Sequence, residues 1–285
     1  MATLIKELVG VRPNFLFIGA DRCGSKSLHQ IFRQHPECYV PSIADPYFFD
    51  RHYDCGMEWY LGLFAAASPT ARAIGEFSHD YLQSPEAAAR IATELPEVKL
   101  LVTLRHPIDR LFSSYASAVS AGVVSTPLEQ AIEDAPWFIG NSFYADRLQV
   151  YYDLFPRDAL KVLFFEDLQA NPRTFADQAF RHVGLNAIDG IDYDSRYSQL
   201  SKSRWPLAGK ATKVGANTLR RLGWVSLLGH LKSNTAFRSL FYKPLAAEER
   251  PSIKPEARKR LSAIFAPQID RLEVMLGRDL TSWRS

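Results

Sequence analysis

The stretch Asn14-Phe15-Leu16-Phe17-Ile18-Gly19-Ala20-Asp21-Arg22-Cys23-Gly24-Ser25-Lys26-Ser27 decides how this chain is read. Asn14–Gly19 is a short apolar run ending in glycine, the pattern of a strand covered on both faces. Ser27–Gln34 then has a helical pattern. A strand that passes through a glycine-bearing loop into a helix leaves backbone N–H groups unpaired at the helix start. There the helix dipole adds positive potential, and an oxyanion fits. Gly24 lets the backbone approach such a ligand closely. Arg22 and Lys26 bring charge, and Ser25 and Ser27 bring hydroxyl donors. The bland alternative is an ordinary turn with solvated basic residues; strand, glycine and two hydroxyls together favour the anion.

Outward from this loop the pattern repeats. Ala71–Phe77 reads as a second strand. Ser84-Pro85-Glu86 opens a helix over Pro85–Leu95, with serine as cap, proline in the first helical position and an acid in the first turn. Lys99–Leu104 (KLLVTL) is a buried strand, and Pro107 starts the next helix through Leu111, Tyr115 and Val119. Leu160–Phe165 (LKVLFF) is a fourth strand, followed by a helix over Pro172–Val183. Lys254–Gly277 reads as a closing helix, kinked at Pro267. The alternation predicts an α/β fold, a three-layer parallel sheet flanked by helices.

Composition agrees. The 285 residues are 47% hydrophobic and 23% charged, ordinary for a globular protein and too apolar for disorder. We expect a single domain over residues 1–285. Cys23, Cys38 and Cys55 form no CxxC pair, which argues against a disulfide framework and a structural zinc site. No apolar run is long enough to span a bilayer. The start of the chain lacks the basic, long apolar and cleavage regions of a signal peptide, and the expected location is cytoplasmic. Net charge is only +3, but its distribution is uneven. Between Asp194 and Glu248 there is no acidic residue and ten basic ones, Lys202 and Arg204 among them. Residues 195–247 are therefore expected to form a basic lid or acceptor-side segment. Within 214–243, Leu219, Leu222, Val225, Leu228 and Leu231 recur at helical spacing. That helix either packs on the core with a basic outer face or touches an anionic membrane surface. Its aromatic residues form no stacking platform for nucleic acid.

The first loop is a near miss to the Walker A pattern, because Ser25 separates Gly24 from Lys26-Ser27. A P-loop nucleotide kinase or NTPase is thus one alternative, with Phe164-Phe165-Glu166-Asp167 as a loose Walker B candidate. A non-catalytic module that binds nucleotide or polyanion is another.

The stretch Arg22-Cys23-Gly24-Ser25-Lys26-Ser27-Leu28 resembles the 5′-phosphosulfate loop of sulfotransferases that use 3′-phosphoadenosine 5′-phosphosulfate (PAPS). The run Arg105-His106-Pro107-Ile108-Asp109-Arg110-Leu111-Phe112-Ser113-Ser114-Tyr115 is similar throughout to their second motif, R-x-P-x-[DE]-R-x-x-S-x-Y. Ser201–Pro206 resembles the loop of heparan-type members that closes on the 3′-phosphate, Asp45–Phe49 their E-x-x-F-F segment, and Leu276–Trp283 the end of many bacterial members. The resemblance implies the P-loop-like sulfotransferase fold, PAPS as co-substrate and no metal. It implies that Arg22, Cys23, Gly24, Ser25, Lys26 and Ser27 hold the 5′ side of the nucleotide. Arg105 and Ser113 would grip the 3′-phosphate, and Lys202 and Arg204 would reach the same phosphate. Either Arg22, aligned with the family lysine, or Lys26 would stabilise the leaving oxygen. The acceptor must lose a proton. Glu76 is the first candidate base, from Gly75–Tyr81 at a strand end; His79 and Asp45 are the others. The remaining histidines show no metal-ligand spacing. The expected acceptor is a hydroxyl, less readily an amine, of a carbohydrate, lipid or small molecule. Its identity and the oligomeric state are not legible.

Overall fold

The computed structural model describes residues 11–42, 44–193 and 252–284, together with two short strands at 201–203 and 242–244. Five strands form one parallel sheet: β1 (Phe15–Gly19), β2 (Cys38–Tyr39), β3 (Ala73–Phe77), β4 (Lys99–Leu104) and β5 (Leu160–Phe164), in the order β2-β3-β1-β4-β5. Leu16 is in register with Glu76 on one side and Leu100 on the other. The four predicted strands are all present. The fifth, β2, is a two-residue edge too short to leave a periodic signal.

The apolar runs alternate between two cores, as strands covered on both faces must. Leu16, Ile18, Leu100 and Val102 face one, and Phe15, Phe17 and Leu101 face the other. Helix α1 (Ser25–Arg33) lies on the second face, where Phe32 packs on Phe15 and Phe180. The short helices α2 (Phe48–Arg51) and α3 (Gly56–Gly62) bring Phe48, Phe49 and Tyr60 into the first core. Helix α4 (Pro85–Glu94) starts as its sequence predicts, with Ser84 Oγ accepting from Ala87 N at 3.1 Å. Helix α5 (Pro107–Ser120) is capped instead by a ring nitrogen: Ile108 N donates to His106 Nδ1 at 3.2 Å.

After α6 (Leu128–Asp134), α7 (Trp137–Gly140) and α8 (Tyr144–Leu154), strand β5 turns directly into α9 (Phe165–Ala170). Asn171 then caps α10 (Pro172–His182), its Oδ1 accepting from Thr174 N at 2.9 Å. The last helix, α11 (Pro255–Leu276), runs through Pro267 and ends at Gly277 in the left-handed conformation. It is tied to the body by Arg258–Asp109 at 2.9 Å and by Gln268–Asp146 at 2.7 Å. Beyond it, Arg278 forks onto Asp167 and lies over the Phe164 ring, while Trp283 is buried against His106, Tyr144 and Phe164. Strands β6 (Ser201–Ser203) and β7 (Tyr242–Pro244) pair antiparallel, Lys202 opposite Lys243. Arg204 and residues 214–243, apart from Tyr242 and Lys243 in β7, lie outside the described residues. Among the described residues no helix is long and apolar enough to cross a membrane.

Candidate active site

The loops after β1, β3, β4 and β5 all open at one edge of the sheet, the carboxyl end. The chain's path from β3 to β4 passes over β1, so the sheet direction switches beside β1, where open α/β sheets bind ligands. The first loop is tightly held. Gly24 caps α1 at φ +90°, and a Cβ there would lie 2.6 Å from Leu168 Cδ2 and 3.1 Å from Phe165 Cδ2. Arg22 also adopts positive φ, at 66°. Cys23 is fully buried, and burial pushes its thiol up to about 12, so any contact it makes with an anion is through its backbone.

Arg22 reaches across to α5, its Nε donating to Ser113 Oγ at 3.1 Å. Arg105, at the end of β4, donates to the Arg22 carbonyl at 3.4 Å and lies over the Phe165 ring at 4.7 Å. Three residues nominated from two separate motifs thus meet, two of them bearing guanidiniums. Asp109, the obvious partner for Arg105 within its own motif, binds Arg258 instead. Arg110 is structural: fully buried, it donates to Ser142 Oγ at 2.6 Å and to the Phe138 carbonyl. The loose Walker B pair is also engaged. Glu166 accepts from His106 N at 2.9 Å, and Asp167 holds Arg278.

The three candidate bases separate. Glu76, on β3, is 1% exposed and faces Tyr60 and Tyr81 in the first core; its Oε2 accepts from Ser78 Oγ at 2.9 Å. Burial raises its carboxyl to about 8, against the hydrogen bonds of Tyr81 and Ser78, so at neutral pH it is mostly protonated. His79 and Asp45, by contrast, come together from two strand-end loops, with Nδ1 donating to Oδ1 at 2.5 Å. Asp45 sits at φ +65° and its N donates to Phe77 O at 2.7 Å. Around His79 Nε2 lie Tyr47 Oη at 3.2 Å, Asp80 Oδ1 at 3.5 Å and Asp21 Oδ1 at 3.7 Å. Burial works against charge on the ring, but Asp45, then Asp21 and Asp80, outweigh it and raise His79 to about 10. For Asp45, burial is likewise outweighed by His79, with a further contribution from Lys26, and its carboxyl stays below the usual range. The pair is an imidazolium against a carboxylate.

His79 opens onto a cleft of about 480 Å³ between the β3 loop and the helices α5 and α7. Asp21 belongs to both cleft and loop, and Ser114 of α5 donates from Oγ to Asp21 Oδ2 at 3.3 Å. Asp50, Asp80, Arg51 and Trp137 also line it. Of these Asp21, Asp80 and Ser114 lay inside segments already singled out, and the signal for the two acids was proximity to Arg22 and His79; Asp50, Arg51 and Trp137 were missed. Away from the cleft, donor atoms of His52, Asp54 and Cys55 fall within 4.8 Å of one another, a spacing that the histidine pattern alone does not reveal.

A family model described as a sulfotransferase domain matches residues 12–216. Mouse heparan sulfate glucosamine 3-O-sulfotransferase 6 is 34% identical over 185 residues, which is 62% of this chain and 53% of that protein. Human heparan sulfate glucosamine 3-O-sulfotransferase 3A1 is 32% identical over 197 residues, 66% of this chain and 48% of that protein. The chain therefore spans about half the length of these curated relatives. The crystal structure of a sulfotransferase from Alicyclobacillus acidocaldarius superposes with a TM-score of 0.72 at 23% identity, covering 97% of this chain and all of the other, a likeness of fold. With the loop after β1 and the Arg105–Ser113 motif placed at one sheet edge, and a family match over most of the sheet, this chain belongs to the sulfotransferase family, a family of enzymes.

Proposed function

We propose that this protein transfers the sulfuryl group of PAPS to a hydroxyl of a carbohydrate acceptor. The observation that carries the reading is the meeting of Arg22, Arg105 and Ser113 at the loop, with the Asp45–His79 pair beside Asp21 of the same loop. Two guanidiniums and a hydroxyl suit a phosphate; an ionised carboxylate is free to accept a proton, with a driving force that falls as its pKa is lowered. PAPS would lie along the sheet edge, its 5′-phosphosulfate over the backbone N–H groups of Gly24–Ser27 and its 3′-phosphate between Arg105 and Ser113.

The acceptor oxygen attacks sulfur in line as the bond from sulfur to the 5′-phosphate oxygen breaks. Adenosine 3′,5′-bisphosphate leaves with that electron pair, and the acceptor proton passes to Asp45. Arg22 is always charged, so it would offset the charge on the leaving oxygen by its own charge and hydrogen bonds, without giving up a proton. The field of Lys26 falls on Asp45 and helps to hold that carboxylate ionised. His79, held as an imidazolium, orients Asp45 and is not the base. Glu76 is kept from the acceptor by its burial, and its role is in the core. That relatives of this chain are heparan sulfate glucosamine sulfotransferases supports a glycan acceptor.

Turnover of PAPS with an accepted glycan tests the assignment of the base. Asp45→Asn should lower kcat by about 10²–10⁴-fold, the usual contribution of a positioned base, while Glu76→Gln stays within a few-fold of the parent. The opposite ranking would transfer the role to Glu76.

A further inference from the structure

We propose that the cleft beside His79 takes a neutral, hydroxyl-rich acceptor, an unsulfated sugar, and not an acidic polysaccharide. This deepens the sulfuryl-transfer reading and rests on it. The cleft wall carries the carboxylates of Asp21, Asp50 and Asp80. Its two cations are already spent. Arg51 contacts both Asp80 and Asp50, the latter at 3.3 Å, and lies over the Tyr47 ring at 4.0 Å. His79 is neutralised by Asp45 at 2.5 Å. A sulfated or uronic acid chain entering here would meet like charges with no uncommitted cation among the described residues of the cleft, and like-charge juxtaposition selects against such a partner.

Two further observations point to what does fit. The carboxylates of Asp21 and Asp80 are 26% and 25% exposed on this cleft, and each is an acceptor that the hydroxyl groups of a sugar satisfy. At the rim, Trp137 is 48% exposed yet braced by Phe138, ring centroids 3.9 Å apart. A rigid, exposed indole on the cleft that carries these carboxylates offers a face for the C–H side of a sugar ring, with hydroxyl groups turned toward them.

The test uses the full chain saturated with adenosine 3′,5′-bisphosphate. It is titrated with neutral tetrasaccharides (cellotetraose, maltotetraose, chitotetraose) and with a heparan sulfate tetrasaccharide, at low and high salt. The expected result is that at least one neutral sugar binds roughly tenfold or more tighter than the sulfated one, with little dependence on salt. Trp137→Ala should weaken that sugar by roughly three- to tenfold. Binding of the sulfated sugar as tight as that of every neutral one, or no neutral sugar bound while the bisphosphate is held, overturns the inference. So does a neutral sugar whose affinity is the same in Trp137→Ala. Failure of the bisphosphate itself to bind would strike the sulfuryl-transfer reading instead, and calorimetry of that first step separates the two.

Discussion

His79 is the residue whose chemistry depends most on its neighbours. A histidine at a strand end ordinarily titrates near neutrality, but the carboxylates of Asp45, Asp21 and Asp80 hold its proton up to about 10. A group whose folded value is raised stabilises the fold fully below its ordinary value, here 6.5, and that contribution is lost as pH rises through about 10. His79→Gln should therefore lower Tm most near pH 6 and least near pH 10, as thermal unfolding across that range would reveal; a penalty independent of pH would contradict the ion pair. Glu76 runs the other way in cost: its carboxyl is raised to about 8, so ionising it penalises the fold increasingly above its ordinary value of 4.5. The sequence nominated Asp45 and His79 separately but gave no sign of their pairing. They are 34 positions apart and are joined only because β3 ends beside the Asp45 loop. Glu76 drew attention as an acid at a strand end, and one-residue alternation decides its fate: Phe77 faces the second core, so Glu76 faces the first.

At the scale of elements, the loop between β1 and α1 sets the position of everything else. Its glycine is there for two reasons at once, left-handed backbone and the absence of space beside Phe165 and Leu168 of α9. Gly24→Ala should cost about 1–2 kcal/mol from the left-handed conformation alone, with more from the clash, and should weaken nucleotide binding; denaturant unfolding with an unchanged midpoint would contradict this. The strand-loop-helix pattern and the proline-started helices were legible because each has a local cause, in apolar runs, Ser84 and Asn171 caps and proline at the first position. What was not legible was tertiary. Helix α9 follows β5 with no intervening turn, so its two acids read as a Walker B end rather than as partners of His106 and Arg278. The cap of α5 is a histidine, a residue with no strong capping preference, recruited because β4 aims it there.

For the molecule as a whole, the loop after β1 and the motif after β4 are distant in sequence and adjacent in the fold, and the C-terminal segment locks the second of them in place. Arg278 pins α9 from below, and Trp283 fills the space beneath His106. The motif spacing from Arg105 to Ser113 made this half of the site readable, because a strand end and a helix face are rigidly related. The cleft was not readable, since its walls come from five separated segments. The central claim is that this edge holds a nucleotide bearing a 3′-phosphate, and calorimetric titration with adenosine 3′,5′-bisphosphate and with ATP, each with and without Mg²⁺, tests it most directly. The account predicts binding of the bisphosphate that does not need Mg²⁺, much weaker binding of ATP, and loss of the bisphosphate in Arg105→Ala. Binding of ATP that depends on Mg²⁺, with no preference for the 3′-phosphate, would contradict it.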